Sequence, residues 1–180
     1  MSTDAIVIRV QPWREHDQLV TLYSRIHGKV LAVARGALRP TSKQALALDP
    51  GALIVCQFTP SRSQFPIITG AQALRSWGNL KSQPHAWAVA QFFLEVIHAA
   101  VFDDQPDEHV FAVLASALDA LETGHEPLGV LREHQCHLLE ALGYGHHDAP
   151  TGTGRSPLDD EFEQIAQRQF VSLRLIYGMV

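Results

Sequence analysis

The stretch 18–34, QLVTLYSRIHGKVLAVA, carries the clearest structural signal of the N-terminal half. Its first eight residues alternate in side-chain character, as expected for a β-strand with two different faces. His27-Gly28 then predicts a tight turn, and Lys29–Ala34 is rich in the branched residues that favour strands. The stretch therefore predicts an antiparallel hairpin.

Three further strands are predicted on either side of this hairpin, at Ala5–Val10, Leu53–Phe58 and Pro66–Leu74. Five short strands without an intervening helix indicate a small closed barrel. We therefore expect an α+β protein, with an N-terminal five-stranded OB-type β-barrel followed by an all-α domain. An SH3-like barrel would produce much the same pattern.

After Trp77 the apolar residues recur at helical spacing, and the chain contains four start signals for helices. They predict about four helices, with a domain boundary after residue 80, so that residues 1–80 form the barrel and 81–180 the helical domain. The fourth signal is the strongest, because it combines a cap, a proline and acidic residues. The signals are Ser82 with Pro84, Asp104 with Pro106, Glu126-Pro127 and Ser156-Pro157.

The two halves carry opposite charge, although the whole chain has a net charge of -5. Residues 1–78 contain nine basic residues (Lys and Arg) and four acidic residues (Asp and Glu). Residues 79–180 contain five basic and fifteen acidic residues. This asymmetry predicts two surfaces with different partners, or two unrelated solvated faces.

No metal, cofactor or catalytic site is expected from the sequence. Cys56 and Cys136 are two lone thiols in apolar surroundings, and His134 and His137 have no established ligand spacing. The run Arg14–Asp17 puts a histidine between carboxylates, but adjacent extended residues point to opposite sides, so we predict a polar turn. With no catalytic motif, we expect a binding protein and not an enzyme.

The N-terminus shows neither the basic nor the apolar region of a signal peptide, and no stretch is long enough to span a membrane. Two unpaired cysteines also suit a reducing compartment. A cytoplasmic location is therefore expected.

The loop after the third predicted strand, residues 35–43, concentrates cations and hydroxyl groups. Lys and Arg neutralise phosphates, and hydroxyls hydrogen-bond to phosphate oxygens, so this composition favours a polyanion site. An ordinary solvated loop could have the same composition. The candidate DNA-binding residues of this loop are Arg35, Arg39, Ser42 and Lys43.

Aromatic residues at strand ends are candidates to stack on bases. Trp13 stands beside Arg14, and Phe65 follows closely after Arg62, so each combines a ring with a cation, and Arg62 is a further candidate DNA-binding residue. The aromatics inside strands, which are predicted to fill the core, are Tyr23 and Phe58.

Several of these segments together resemble the bacterial recombination mediator family RecO. The resemblance is strongest over residues 4–50 and looser in the helical half, where the closing helix is compared with residues 168–177. The segments that carry it are WREHDQLVTL at 13–22, GKV at 28–30, AVARGA at 32–37 followed by Arg39 and Ser42, and LLEALGY at 138–144.

The resemblance implies an OB-fold that binds single- and double-stranded DNA and anneals complementary strands. It implies that RecR is a partner with which the protein helps to load RecA, itself an indirect partner, at the nucleoid. It also implies contact with single-stranded-DNA-binding protein, although the acidic helical half would repel that protein's acidic tail. It adds Arg14 and Lys29, on nearby turns, to the candidate DNA ligands. The alternative is a protein-interaction adaptor of the repair machinery with little or no DNA affinity.

The chain departs from the family pattern in two places. Many relatives have four zinc-binding cysteines after the Leu-Gly segment, whereas Gly145–Ser156 contains none, so the zinc module is expected to be absent. Relatives also continue beyond the closing helix into a basic tail, so a short member of the family is expected.

Overall fold

A computed structural model of the protein describes residues 2–40, 42, 44–61 and 64–178. Within these residues the chain forms two compact units. One contains the positions up to Ser76 together with Val101–Glu108, and the other contains Trp77–Ala100 and the positions from His109 onward. The segment Val101–Glu108, which we expected inside the helical domain, thus belongs to the unit that contains the strands.

The strands of the first unit form a closed barrel. They pair in the order β1-β2-β3-β5-β4, and β4 pairs again with β1. Neighbours are antiparallel except β3 and β5, which meet in parallel at Val33 and Ile67. This five-stranded closed sheet confirms the predicted OB-type barrel. The strands are β1 Ser2–Trp13, β2 Asp17–Ser24, β3 Gly28–Ala34, β4 Leu53–Thr59 and β5 Ile67–Arg75.

Strand β1 is longer than the sequence predicts, because it continues through Pro12 to Trp13. Pro12 lies opposite Gln18 near the end of the β1–β2 ladder, where a missing N–H donor is tolerated. The register of this ladder shifts between Val7 and Arg9, an irregularity of the kind that bends and twists a strand. As a result, β1 carries Trp13 to the end of the barrel.

The barrel is filled by small and branched side chains that alternate along the strands. Their removal from water is the main source of stability for such a core. The buried residues of this core cluster are Ala5, Val7, Val20, Leu22, Ala32, Ala34, Ala37, Ala47, Leu48, Ala52, Ile54, Cys56 and Ile68.

The β2–β3 turn packs against the segment Val101–Glu108. Gly28 has a φ of +67°, and a Cβ at this position would lie 2.3 Å from backbone atoms of Gln105, so only glycine fits. The backbone N–H of Asp104 donates to the carbonyl oxygen of Lys29 at 3.1 Å. Tyr23, which is fully buried as predicted, directs its hydroxyl towards the carbonyl oxygen of Asp107 at 3.4 Å.

The second unit is helical and, within the described residues, contains six helices where about four were predicted. The extra helix at its start, α1, is only five residues long, too short to give a periodic signal. Its first N–H groups, at Asn79 and Leu80, donate to the carboxylate of Glu122. The helices are α1 Gly78–Ser82, α2 Pro84–Ala100, α3 Glu108–Glu122, α4 Pro127–Ala141, α5 Pro157–Ala166 and α6 Val171–Gly178.

The predicted last helix is divided into α5 and α6. Gln167 ends α5 in the left-handed conformation, with a φ of 52°. The break lets Phe162 and Phe170 both pack edge-on against Phe92, at ring-centroid distances of 5.5 and 5.6 Å. In one continuous helix these two residues would stand about 12 Å apart along the axis, too far to contact one ring.

A buried charged network lies at the start of α5, where the predicted cap is confirmed as a capping box between Ser156 and Asp159. The Arg132 side chain is 6% exposed and that of Asp159 is 0% exposed, with Nη1 and Oδ2 at 3.1 Å. Tyr177 and Gln135 also donate to the Asp159 carboxylate, at 2.6 and 2.7 Å. The network thereby joins α4, α5 and α6.

This network makes the stability of the protein sensitive to acid. Burial opposes ionisation of Asp159, but hydrogen bonds from Tyr177, Ser156 and Gln135 and the charge of Arg132 outweigh it, so its pKa lies below the usual value of 3.8. The ionised carboxylate therefore stabilises the fold fully above about pH 4, and this contribution is lost as the pH falls through the lowered pKa. We expect the difference in unfolding free energy between wild type and Asp159→Asn to be constant from pH 7 to 5 in urea titrations and to shrink below pH 4. A difference that grows on acidification would contradict this assignment.

Among the described residues, none of the helices combines the length and the apolar character needed to cross a bilayer.

Candidate nucleic-acid interface

A cavity of about 160 Å³ lies where β3 and β5 close the barrel. It is bordered by the β1–β2 turn, by the end of β3 and by the loop that precedes β5. In OB-folds this combination of the β2–β3 face with the 1–2 and 4–5 loops is the place where oligonucleotides bind. The lining residues are Trp13, Arg14, Asp17, Val33, Arg35, Gln64, Phe65 and Ile67.

Arg14 is exposed and forms the first residue of the β1–β2 turn, which confirms the predicted polar turn. Its φ is 58°, in the left-handed region that glycine and asparagine adopt more easily. A long cation at such a position costs backbone energy, and such residues concentrate at functional sites. The turn thus presents a guanidinium at the mouth of the cavity.

Arg35 is held beside this turn by two hydrogen bonds between loops. The Asp17 carboxylate accepts from the backbone N–H of Gly36 at 2.8 Å, and the N–H of Leu38 donates to the carbonyl oxygen of His16 at 2.9 Å. Gly36 has a φ of +65° and allows the chain to turn sharply directly after Arg35. The role of Asp17 as the anchor of the basic loop was not predicted from the sequence.

The two aromatic residues proposed to stack on bases lie side by side. The rings of Trp13 and Phe65 are 6.0 Å apart between centroids and nearly perpendicular. Trp13 is 37% exposed and Phe65 is partly buried, so a ring surface remains accessible at the cavity. The predicted core residue Phe58, in contrast, is only half-buried and lines a different cleft.

The remaining residues of the basic loop have different positions. Arg39 is exposed and its side chain lies over Gly36, close to Arg35 in sequence and space. The Ser42 hydroxyl accepts from the backbone N–H of Ala45 at 3.4 Å and so helps to form a local turn. The other two predicted ligands, Lys43 and Arg62, lie outside the described residues.

Lys29 does not line this cavity. Its side chain is 14% exposed, its Nζ lies 3.3 Å from the Asp103 carboxylate, and it also donates to the carbonyl oxygen of Val101. Arg25 pairs with Glu108 at 2.8 Å in the same region. Two barrel cations are thus engaged by the acidic segment Val101–Glu108, and we leave Lys29 out of the proposed interface.

His134 and Cys56, which belong to residue types that hold metal ions, are both buried. The described residues contain no group of three or more potential ligands placed to hold an ion. Burial lowers the pKa of His134, whose Nδ1 donates to Val130 while its Nε2 accepts from the Ser116 hydroxyl. Burial also raises the pKa of the Cys56 thiol to about 12.

Comparison with known proteins agrees with this architecture. Residues 1–77 match the family model described as "Recombination protein O N terminal", and residues 81–147 match "Recombination protein O C terminal". The curated proteins named DNA repair protein RecO include relatives from Geobacter metallireducens, Symbiobacterium thermophilum and Cutibacterium acnes. They are 30, 31 and 31% identical over 79, 79 and 78% of this chain.

The chain spans 58, 56 and 59% of the length of these three relatives. The matched regions nevertheless include the whole barrel and the helical segments as far as residue 147. The chain therefore belongs to the RecO family of DNA repair proteins.

Proposed function

We propose that the barrel binds single-stranded DNA across the cavity at the β3–β5 closure. The observation that carries this proposal is the convergence of two exposed arginines, Arg14 and Arg35, with the ring pair of Trp13 and Phe65 around one opening. Guanidinium groups hold phosphates and aromatic faces stack on bases, which are the two elements of a single-strand site.

The same chemistry defines what kind of binding to expect. Phosphate contacts and base stacking depend little on sequence, because each nucleotide supplies a phosphate and each base a π-face. Arg39 and, outside the described residues, Lys43 and Arg62 would extend the contact along the backbone. Binding of this kind also suits double-stranded DNA through its phosphates and allows complementary strands to be brought together for annealing.

We further propose that the protein acts in the cell as a mediator, by binding and not by catalysis. The relatives are named as DNA repair proteins, and the family resemblance points to RecR as partner and to RecA loading on strands coated by single-stranded-DNA-binding protein. Activity of this kind would take place at the nucleoid in the cytoplasm.

A second candidate function is that of an adaptor that docks repair proteins and has little DNA affinity. The observation in its favour is the neutralisation of Arg25 and Lys29 by Glu108 and Asp103, which removes cationic surface from the barrel. The acidic residues 79–180, with fifteen Asp and Glu against five Lys and Arg, would then provide the docking surface.

A salt titration separates the two functions. We expect a fluorescein-labelled 15-nucleotide single strand to bind at low salt. In a plot of the logarithm of the association constant against the logarithm of the salt concentration, the slope should be about -0.7 for each phosphate engaged. Fluorescence anisotropy between about 20 and 200 mM salt measures this slope. Absence of binding at the lowest salt, together with a stable complex with RecR, would reject the DNA site in favour of the adaptor.

A further inference from the structure

A second cavity of about 630 Å³ lies on the barrel unit, beside the described residues of the loop that connects β4 to β5. Its walls come from the β2–β3 turn, β3, the end of β4, that loop and the segment Val101–Glu108. Apart from Gln64, its lining residues are not part of the interface described above. Its lining residues are His27, Val30, Phe58, Pro60, Ser61, Gln64, Pro66 and Asp104.

The floor of the cleft has the shape and chemistry that suit a flat aromatic ligand. Val30 and Phe58 pack with one side against the barrel core and are only half-buried, so their other side faces the cleft. The His27 ring meets Phe58 edge-on at 6.3 Å and 82° and forms a corner with it. Pro60 and Pro66 add rigid apolar walls. A planar π-system could lie in this corner.

The cleft adjoins the proposed single-strand site, because Gln64 lines both cavities. Because Gln64 borders both cavities, a strand whose phosphates contact Arg14 and Arg35 lies next to the entrance of the cleft. The ligand most available to the cleft is therefore part of that same strand.

Asp104 supplies a hydrogen-bond acceptor at the edge of this apolar space. It is exposed and has a φ of 56°, so it holds the rare left-handed conformation. Of the three such non-glycine residues among those described, Arg14 borders the first cavity and Asp104 the second. A carboxylate accepts from the amino groups of cytosine, adenine and guanine, which thymine lacks.

We propose that this cleft takes one unpaired nucleobase of the strand held at Arg14 and Arg35. The base lies against Phe58 and His27, and Asp104 favours bases that carry an amino group. The inference rests on the proposed single-strand binding and deepens it, because it adds a subsite that senses the base where the arginines sense the phosphate.

The experiment compares three 15-nucleotide probes: poly-dC, poly-dT and an abasic sugar–phosphate strand of the same length. Val30→Trp places an indole ring on the floor of the cleft, where the base would lie, without a change of charge. We expect it to weaken the poly-dC complex about fivefold or more, the lower end of one base–aromatic contact, and to leave the abasic complex within about twofold of wild type. Leu74→Trp, which adds the same ring at an exposed position of β5 outside the cleft, is the matched control and should change neither.

A second variant, Asp104→Gly, keeps the left-handed backbone and removes the acceptor. Loss of a negative charge should strengthen binding to all three strands, so the readout is the ratio of poly-dC to poly-dT affinity. We expect this ratio to fall about threefold or more. If circular dichroism shows that Val30→Trp does not fold, the affinity ratio of Asp104→Gly alone tests whether the cleft holds a base.

The outcomes separate this inference from the function on which it rests. If no probe binds the wild type at low salt, the single-strand site and the subsite both fail. A different result would reject the subsite alone. The probes would bind, Val30→Trp would weaken the poly-dC and abasic complexes equally or not at all, and the ratio of poly-dC to poly-dT affinity would be the same for Asp104→Gly and wild type. The cleft would then hold no base, and the site at Arg14 and Arg35 would stand. That result would point to another occupant of the cleft, such as an apolar side chain of a partner protein.

Discussion

Replacement of Arg132 by methionine is expected to lower the free energy of unfolding by about 3–5 kcal/mol. The guanidinium is 6% exposed and lies 3.1 Å from the fully buried carboxylate of Asp159. It also donates to the Ser156 hydroxyl at 2.6 Å and to the Tyr177 hydroxyl at 2.8 Å. Removal of the cation leaves a buried carboxylate without its countercharge, and this costs more than the pair itself contributes. Urea denaturation at pH 7 measures the change.

Arg155→Met is the matched control for this prediction. Arg155 makes the same kind of contacts, to Asp160 and Glu163, but its side chain is 43% exposed. Water screens exposed pairs, so this variant should cost less than about 1 kcal/mol. A double replacement of Arg132 by Met and Asp159 by Asn should recover part of the stability, because no unpaired charge remains and the amide oxygen still accepts a hydrogen bond from the surrounding donors. Equal costs for Arg132→Met and Arg155→Met would show that burial of the pair is not what matters.

Neutralisation of Arg14 and Arg35 together is expected to weaken single-strand binding by about tenfold for each cation at low salt, since a charge-assisted hydrogen bond contributes about 1.5 kcal/mol or more. The variants Arg14→Asn and Arg35→Gln are chosen because asparagine tolerates the φ of 58° at position 14. The salt slope should also fall by about 0.7 for each phosphate that the variant no longer engages. Thermal unfolding should show a stability equal to that of wild type or slightly higher, because asparagine at position 14 relieves the backbone cost.

The control keeps the same loss of charge on the same unit but moves it away from the cavity. Arg9→Gln with Arg75→Gln removes one cation from β1 and one from β5. Neither of these two arginines lines the cavity. This pair should change affinity only slightly. If both double variants weaken binding equally, the net charge of the barrel and not the geometry of the cavity would explain the binding.

The strands and most helix starts could be predicted from the sequence because their signals are local. The alternation of β2 and β3 and the His27-Gly28 turn lie within 17 consecutive residues, and the capping box at Ser156 and Asp159 lies within four. Such patterns reflect side-chain periodicity and the unpaired N–H groups at helix ends, which are fixed by neighbours in the chain. The family resemblance came from the same local segments.

The positions of the candidate ligands could be predicted only in part. A sequence shows that Arg14, Lys29 and Arg35 are cations, but not which of them remains exposed. The neutralisation of Lys29 depends on the segment Val101–Glu108, whose Val101 lies 72 positions further along the chain. The break between α5 and α6 has the same origin, because it depends on how Phe162 and Phe170 reach Phe92.

The five strands, the hairpin, the basic loop and the acidic character of the helices could thus be predicted from the order of the amino acids. The contact of Trp13 with Phe65 beside Arg14 and Arg35, the pairing of Lys29 with Asp103 and the cleft bordered by Asp104 became visible only in the folded chain. The difference lies in separation along the chain. Secondary structure follows from neighbours a few residues apart, whereas burial and charge pairing depend on residues that only folding brings together.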